Sequence, residues 1–387
     1  MKYYSKILIV GALSGLLCAC NGFFDKDNTP TPTPLTKFKP EAKATMLWHS
    51  HLNFGVGDDY LKLVPAMTDD SIYTAARLGE VAAINKQNGK TLWTTETHTP
   101  LSAGPATDKD LVFIGGRSGK VLALRQADGK IVWQAQAPTE ILAPPAASAD
   151  IVLVKTIDGQ LTAFSETDGH ILWHYQQVEP NLILRSGSAP QIDHDVVVAG
   201  FANGNLTKLT LSDGNLLWQT TVGVPQGSFA IQRMVDIDAD PVIFNRQVFV
   251  ATYQGRIAAL ELSSGKEIWT HDISSFTGLN LDQKRVYVSD ASGHLWAFDK
   301  ESGQVAWRQT QLENRNITGP AVMGDYVIVG DGEGYIHWMS KQDGHFVART
   351  RIWGSAILAT PVVDNNQIAY VLTRDGYLAA FKLGQES

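Results

Sequence analysis

From about residue 45 onward, short apolar runs alternate with glycine-containing turns, and one unit recurs. It is seen in Asp168-Gly169-His170-Ile171-Leu172-Trp173, with relatives at Asn88 to Trp93, Asp128 to Trp133, Asp213 to Trp218, Ser264 to Trp269 and Ser302 to Trp307. Asn-Gly and Asp-Gly supply the positive φ that a tight hairpin demands, and strand residues follow at once, so each unit reads as the last hairpin of a sheet. The third repeat predicts strands near 143–148, 150–156, 160–165 and 170–175. The steps between tryptophans from Trp93 are 40, 40, 45, 51 and 38 residues. Four strands every ~40 to 45 residues is the signature of a propeller blade.

The two ends of the pattern complete each other. Residues 44–50 form a lone predicted strand with Trp48, one step of 45 before Trp93, whereas 357–363, 367–373 and 377–383 supply three strands without a fourth. Pairing 45–50 with 377–383 closes a ring and leaves neither strand as a raw edge. Outer strands then fall at Trp48, Trp93, Trp133, Trp173, Trp218, Trp269, Trp307 and Ala348. The expected fold is therefore an all-β, eight-bladed β-propeller of four-stranded antiparallel blades over 45–387, closed by the N-terminal strand joining the last blade. The tryptophans are expected between neighbouring blades, with Ala348 marking a weaker junction.

Composition adds compartment. Lys2 and Lys6 precede an apolar run, Ile7 to Leu17, which is short for a membrane span and reads as a targeting leader over 1–19. Leu17-Cys18-Ala19-Cys20 resembles a bacterial lipobox, which implies acylation of Cys20 and, with Asn21 following, outer-membrane sorting. Cys18 and Cys20 are the two cysteines of the chain, so the mature protein is expected to hold its core without a disulfide. Residues 20–44 contain Thr29-Pro30-Thr31-Pro32-Thr33-Pro34, expected to be a flexible extended linker. The formal charge of −7 falls to −9 when Lys2 and Lys6 leave with the leader, a poor match for nucleic acid or an anionic lipid surface.

Two connections between blades stand out as long or odd: 176–187, with Leu182-Ile183-Leu184-Arg185, and 222–238, with Arg233-Met234-Val235-Asp236-Ile237-Asp238, the second with about ten residues that a ring does not need. Both follow outer strands, so they are expected on one face, one blade apart. Loops of this length usually carry function, and an apolar cluster beside an arginine has the composition of an interface centre. Alternation places Asp236, Asp238 and Asp240 on one side, suited to a basic partner or to pairing with Arg233 or Arg185. The glycine and distal glutamate of a calcium loop are missing. His49, His51, His170 and His174 do not make a metal set, and the glycine runs at 115–119 and 330–334 lack the following helix that phosphate binding needs. Neither a Ser-His-Asp arrangement nor a cofactor site is recognisable.

Repeats such as Ala123-Leu124-Arg125-Gln126-Ala127-Asp128-Gly129-Lys130-Ile131-Val132-Trp133 resemble those of pyrroloquinoline quinone enzymes. With the lipobox and eight blades, the whole mature chain resembles the BamB family, lipoproteins of the outer-membrane β-barrel assembly machinery. That resemblance implies a non-enzymatic scaffold, lipid-anchored at the periplasmic face of the outer membrane. It implies docking on the POTRA domains of BamA through Leu182, Leu184, Arg185, Asp236 and Asp238. It further implies indirect association with the machinery's other lipoproteins, whereas contact with unfolded outer-membrane proteins is expected only if the blade edges accept strands. The rival, a quinone-dependent oxidoreductase, would need calcium ligands and a stacking residue converging on a quinone, and the mature chain has one cysteine, already assigned to lipid. A peptide-binding propeller that accepts strands at its blade edges is the third reading.

Overall fold

The computed structural model describes residues 30–52, 55–57, 61–185, 187–353 and 355–385. The described strands form eight sheets of four, each an antiparallel meander. Blades one to seven occupy 66–96, 101–136, 146–176, 191–221, 242–273, 279–309 and 321–351. The eighth takes three strands from 362–385 and its outer strand from Ala42–His51. Ring closure follows the expected pairing, with Thr45 opposite Lys382 and Trp48 opposite Ala380. The eight-bladed propeller is thus the fold, and its closing strand begins at Ala42, two residues before the strand expected over 44–50.

The repeated tryptophan works between blades. Its indole Nε1 donates to a backbone carbonyl beside the next blade's last turn: Trp133 to Glu166 at 2.7 Å, Trp173 to Leu211 at 2.9 Å and Trp269 to Lys300 at 2.8 Å. The ring lies on the turn glycine; at Gly169, φ +74°, a Cβ would come within 2.6 Å of the Trp133 ring. One bulge per blade aims the indole. Ile131 faces Leu124 and Trp133 faces Ala123, which leaves Val132 as the extra residue. Such an insertion bends the strand and turns the following side chain.

Ala348 breaks the motif for a reason visible only in three dimensions. Its neighbour is the closing blade, whose third and fourth strands come from opposite chain ends, so the last turn and its glycine do not exist there. A tryptophan at 348 would have no carbonyl or glycine to meet. Ala348 instead lies buried with Trp338, Ile336 and Phe381, with Ala44 and Met46 packed against them.

Two further features position the site. The inner strands surround a cavity of about 650 Å3 lined by Lys62, Pro65, Pro105, Pro144, Asp240 and Ala321 among others. The second half of the expected 20–44 linker is attached to the propeller: Thr33 N donates to Glu313 O at 3.1 Å and Glu41 N to Val347 O at 2.9 Å. The leader and Cys20 lie outside the described residues.

Candidate loop face

The two long connections leave the outer strands Ile171–Gln176 and Leu216–Thr221 of adjacent blades. In a meander every such connection emerges on the same face, and here the two segments are bonded to each other. Leu184 N donates to Asp236 Oδ1 at 2.7 Å, and Ala189 N to Asp240 Oδ1 at 2.6 Å. Lys62, from the connection that enters the first blade, completes the junction by donating to Asp240 Oδ1 at 3.0 Å and to Asp238 O.

The five residues expected to face a partner divide into two sets. Leu182 is 43% exposed and the Arg185 side chain 65% exposed. The Arg185 guanidinium is held by Glu140 from the preceding connection. Leu184 is half-buried, and Ile183 turns inward to line a small cavity with Leu142, Lys155 and Ile237. Asp236 and Asp238, by contrast, are 1% and 2% exposed. The expectation that they present carboxylates to a basic partner, or pair with Arg233 or Arg185, is corrected: alternation does put them on one side, and that side is the interior.

Burial sets their chemistry. It pushes the Asp236 carboxyl up to about 6, against the opposing hydrogen bond from Leu184 N. Burial, with Asp236 beside it, pushes Asp238 up to about 7, against Lys62 and Lys155. Lys155 is pushed down to about 8 by its own burial, opposed by Glu179 and Asp238. Its ammonium donates to Gly200 O at 2.6 Å and Ser188 Oγ at 3.0 Å. Burial also raises Glu179, which accepts from Ala202 N and Asn203 N at 3.2 and 3.0 Å. The loops therefore rest on a buried cluster of opposite charges, in which breaking one partner leaves another unpaired at considerable cost.

The second loop also carries apolar residues that sequence reasoning passed over. Val224, Phe229 and Ile231 are exposed, Phe229 at 68%. A short 3-10 helix, Ala230–Arg233, follows a turn in which Gln232 Oε1 accepts from Ser228 N and Phe229 N at 3.1 Å each. Phe229 is thus held outward by local hydrogen bonds. The available signal was the apolar content of 229–231 inside the excess length of the loop.

The sequence profile of a family described as "Outer membrane protein assembly factor BamB" matches residues 77–309. An outer membrane protein assembly factor BamB from Legionella pneumophila is 40% identical over 380 residues, 98% of each chain. This chain belongs to the BamB family. The crystal structure of BamB from Moraxella catarrhalis superposes with a TM-score of 0.80 at 26% identity, covering 88% of this chain and 100% of that one. A quinohemoprotein alcohol dehydrogenase from Comamonas testosteroni superposes with a TM-score of 0.69 at 14% identity, over 89% of this chain and 78% of that one. That likeness concerns the fold alone. Among the described residues, no three His, Cys, Asp or Glu side chains are grouped to hold a metal ion. For a BamB-family chain, the loop face offers an ordered, partly apolar surface with one anchored arginine.

Proposed function

We propose that this protein is an outer membrane protein assembly factor that works as a scaffold, docking its loop face onto the POTRA domains of BamA. Membership of the BamB family supports the assembly role. One observation carries the docking assignment: two connections from neighbouring blades are tied by the Leu184 to Asp236 hydrogen bond and together expose Leu182, Arg185, Phe229 and Ile231. In this reading Leu182 and Arg185 touch the partner. Leu184, Asp236 and Asp238 position them. A preformed loop loses little conformational entropy on docking, which favours affinity without added area.

Acylation of Cys20 would hold the propeller at the periplasmic face of the outer membrane and raise the effective concentration of a docking contact that is weak alone. Contact with the machinery's other lipoproteins would then be indirect, through BamA. A second reading, strand addition by unfolded outer-membrane proteins, draws support from Leu92, Val132, Leu172 and Leu217, exposed on outer edge strands. Quinone oxidoreduction is not favoured, because what favours it is a fold shared at low identity.

Photo-activated cross-linkers at Leu182 and Phe229 in living cells test the assignment. Capture of BamA from both positions is expected. Capture of outer-membrane protein substrates alone would transfer the loop face to the second reading.

A further inference from the structure

The outer strands of the first six blades present two successive positions before the tryptophan, and the second is exposed each time: Leu92, Val132, Leu172, Leu217, Ile268 and Ala306. The seventh blade differs. Phe346 and Val347 occupy these positions and are buried, at 7% and 2% exposure. Their cover is the chain's own segment 33–41, whose Leu35 and Phe38 pack against the cluster containing Phe346, Trp307 and Leu312.

The contact is built for this segment. Pro34 and Pro40 have no N–H, so the segment cannot pair along its length as a strand. Its carbonyls need donors that ask for no acceptor in return, and two arginines supply them. Arg315 Nη1 donates to Thr33 O at 2.9 Å, and Arg349 Nη1 to Thr36 O at 2.9 Å. Phe38 stacks on Phe346 with centroids 5.6 Å apart, and the Arg349 guanidinium lies 5.0 and 4.7 Å from the two ring centroids. At the far end, Glu41 N pairs with the carbonyl of Val347, the bulge residue, and the Glu41 carboxylate lies 3.1 Å from His345 Nε2.

The arginines are fixed from behind, within the blade. Arg315, 2% exposed, donates through Nε to Asp331 Oδ2 at 2.8 Å and through Nη2 to Glu333 Oε2 at 2.5 Å. Arg349 Nε donates to His337 Nδ1 at 3.0 Å, so the imidazole carries its proton on Nε2, which lies 3.0 Å from Asp331 Oδ2. Burial holds His337 below its usual range, against the pull of Asp331, in keeping with that neutral form. Held in this way, each guanidinium presents a remaining donor to the segment.

We propose that the seventh blade carries a clasp for an extended, proline-containing segment, occupied by this chain's residues 33–41, and that the clasp fixes the blade from which the N-terminal tether leaves the propeller. For membrane attachment the proposal rests on the reading of Cys20 as the acylated residue. With the clasp closed, the stretch from Cys20 to Thr33 spans about 45 Å at most; released as far as Ala42, it would span about 75 Å. The closed clasp thus limits reach and gives every copy the same exit point beside the seventh blade.

Hydrogen exchange on the full mature protein tests the clasp without lipid bilayer or partner, so its failure is distinct from a failure of Cys20 acylation or of docking. In the unmodified protein, the Thr33 and Glu41 amides are expected to exchange at least tenfold more slowly than in a free peptide of residues 30–41. Phe38→Ala and Arg349→Met should each return them to within about threefold of the peptide, with amides of 326–330 unchanged. Phe38→Ala alters only the bound segment, so its result stands whatever Arg349→Met does to the blade. Peptide-like exchange in the unmodified protein, or undiminished protection in Phe38→Ala, would overturn the proposal.

Discussion

At the scale of single residues, the tryptophan and the turn glycine of the next blade form one unit repeated around the ring, and each half is useless without the other. Truncating Trp133, 7% exposed, removes a large buried ring and the hydrogen bond to Glu166 O, so Trp133→Ala should cost ~3 to 5 kcal/mol in urea unfolding. Ala348→Trp should also destabilise, by ~1 to 3 kcal/mol, since the added ring enters a filled cluster and meets no turn. A gain in stability from Ala348→Trp would show that closure of the eighth blade is not why the motif lapses there. The tryptophan and glycine were legible in the sequence because both lie within one short local pattern. The lapse at Ala348 was legible too, but as a weak junction; its cause depends on which chain ends meet. Asp236 and Asp238 show the same limit. Period-two spacing tells which side chains share a side of an extended segment, and only the packing of Leu184 and Lys155 against that segment tells that the side faces inward.

At the scale of elements, the two loops behave as one body only while their shared junction holds, and the junction should sense pH. Asp236 and Asp238 titrate at about 6 and about 7, above the ordinary 3.8. The folded form therefore binds more protons than the unfolded one between about pH 4 and 7. Their contribution to stability is complete below about pH 4 and is lost as pH rises through 6 and 7. Lys155, depressed to about 8, acts at higher pH: its unfavourable contribution is present below about 8 and is relieved as pH rises toward 10.5. The protection factor of the Leu184 amide, corrected for intrinsic exchange, should accordingly be greater at pH 5 than at pH 8, and Asp236→Asn should flatten that difference. A protection factor that rises from pH 5 to pH 8 would mean that the hydrogen bond to charged Asp236 outweighs its burial. The second loop was visible in the sequence as excess length in the 51-residue step, and the first as the apolar run Leu182-Ile183-Leu184 before Arg185. Their junction was not, because Lys62 and Lys155 reach it from another connection and from a strand. The clasped segment escaped for a related reason: a Thr-Pro repeat looks like a free spacer until Arg315 and Arg349 are seen to hold its carbonyls.

At the scale of the propeller, ring closure converts sequence spacing into geometry. Eight blades, joined by docked tryptophans at every junction but the one after Ala348, with the first and last strands paired through residues 42–51 and 377–385, make a scaffold on which loops from adjacent blades stay neighbours. Rigid placement would suit a docking part: the buried cluster of Lys155, Asp236 and Asp238 holds the loops, and under the proposed docking the exposed Leu182 and the Glu140-held Arg185 would meet the partner. The most direct test is a binding titration of a soluble fragment containing the POTRA domains of BamA against the intact protein and its Arg185→Glu variant, with urea unfolding of both measured alongside. Arg185 lies at the surface, so its reversal should leave the unfolding midpoint in place while weakening binding by at least ~30-fold, as loss of a central interface anchor does. Unchanged affinity in a variant that unfolds like the intact protein would contradict docking through the loop face.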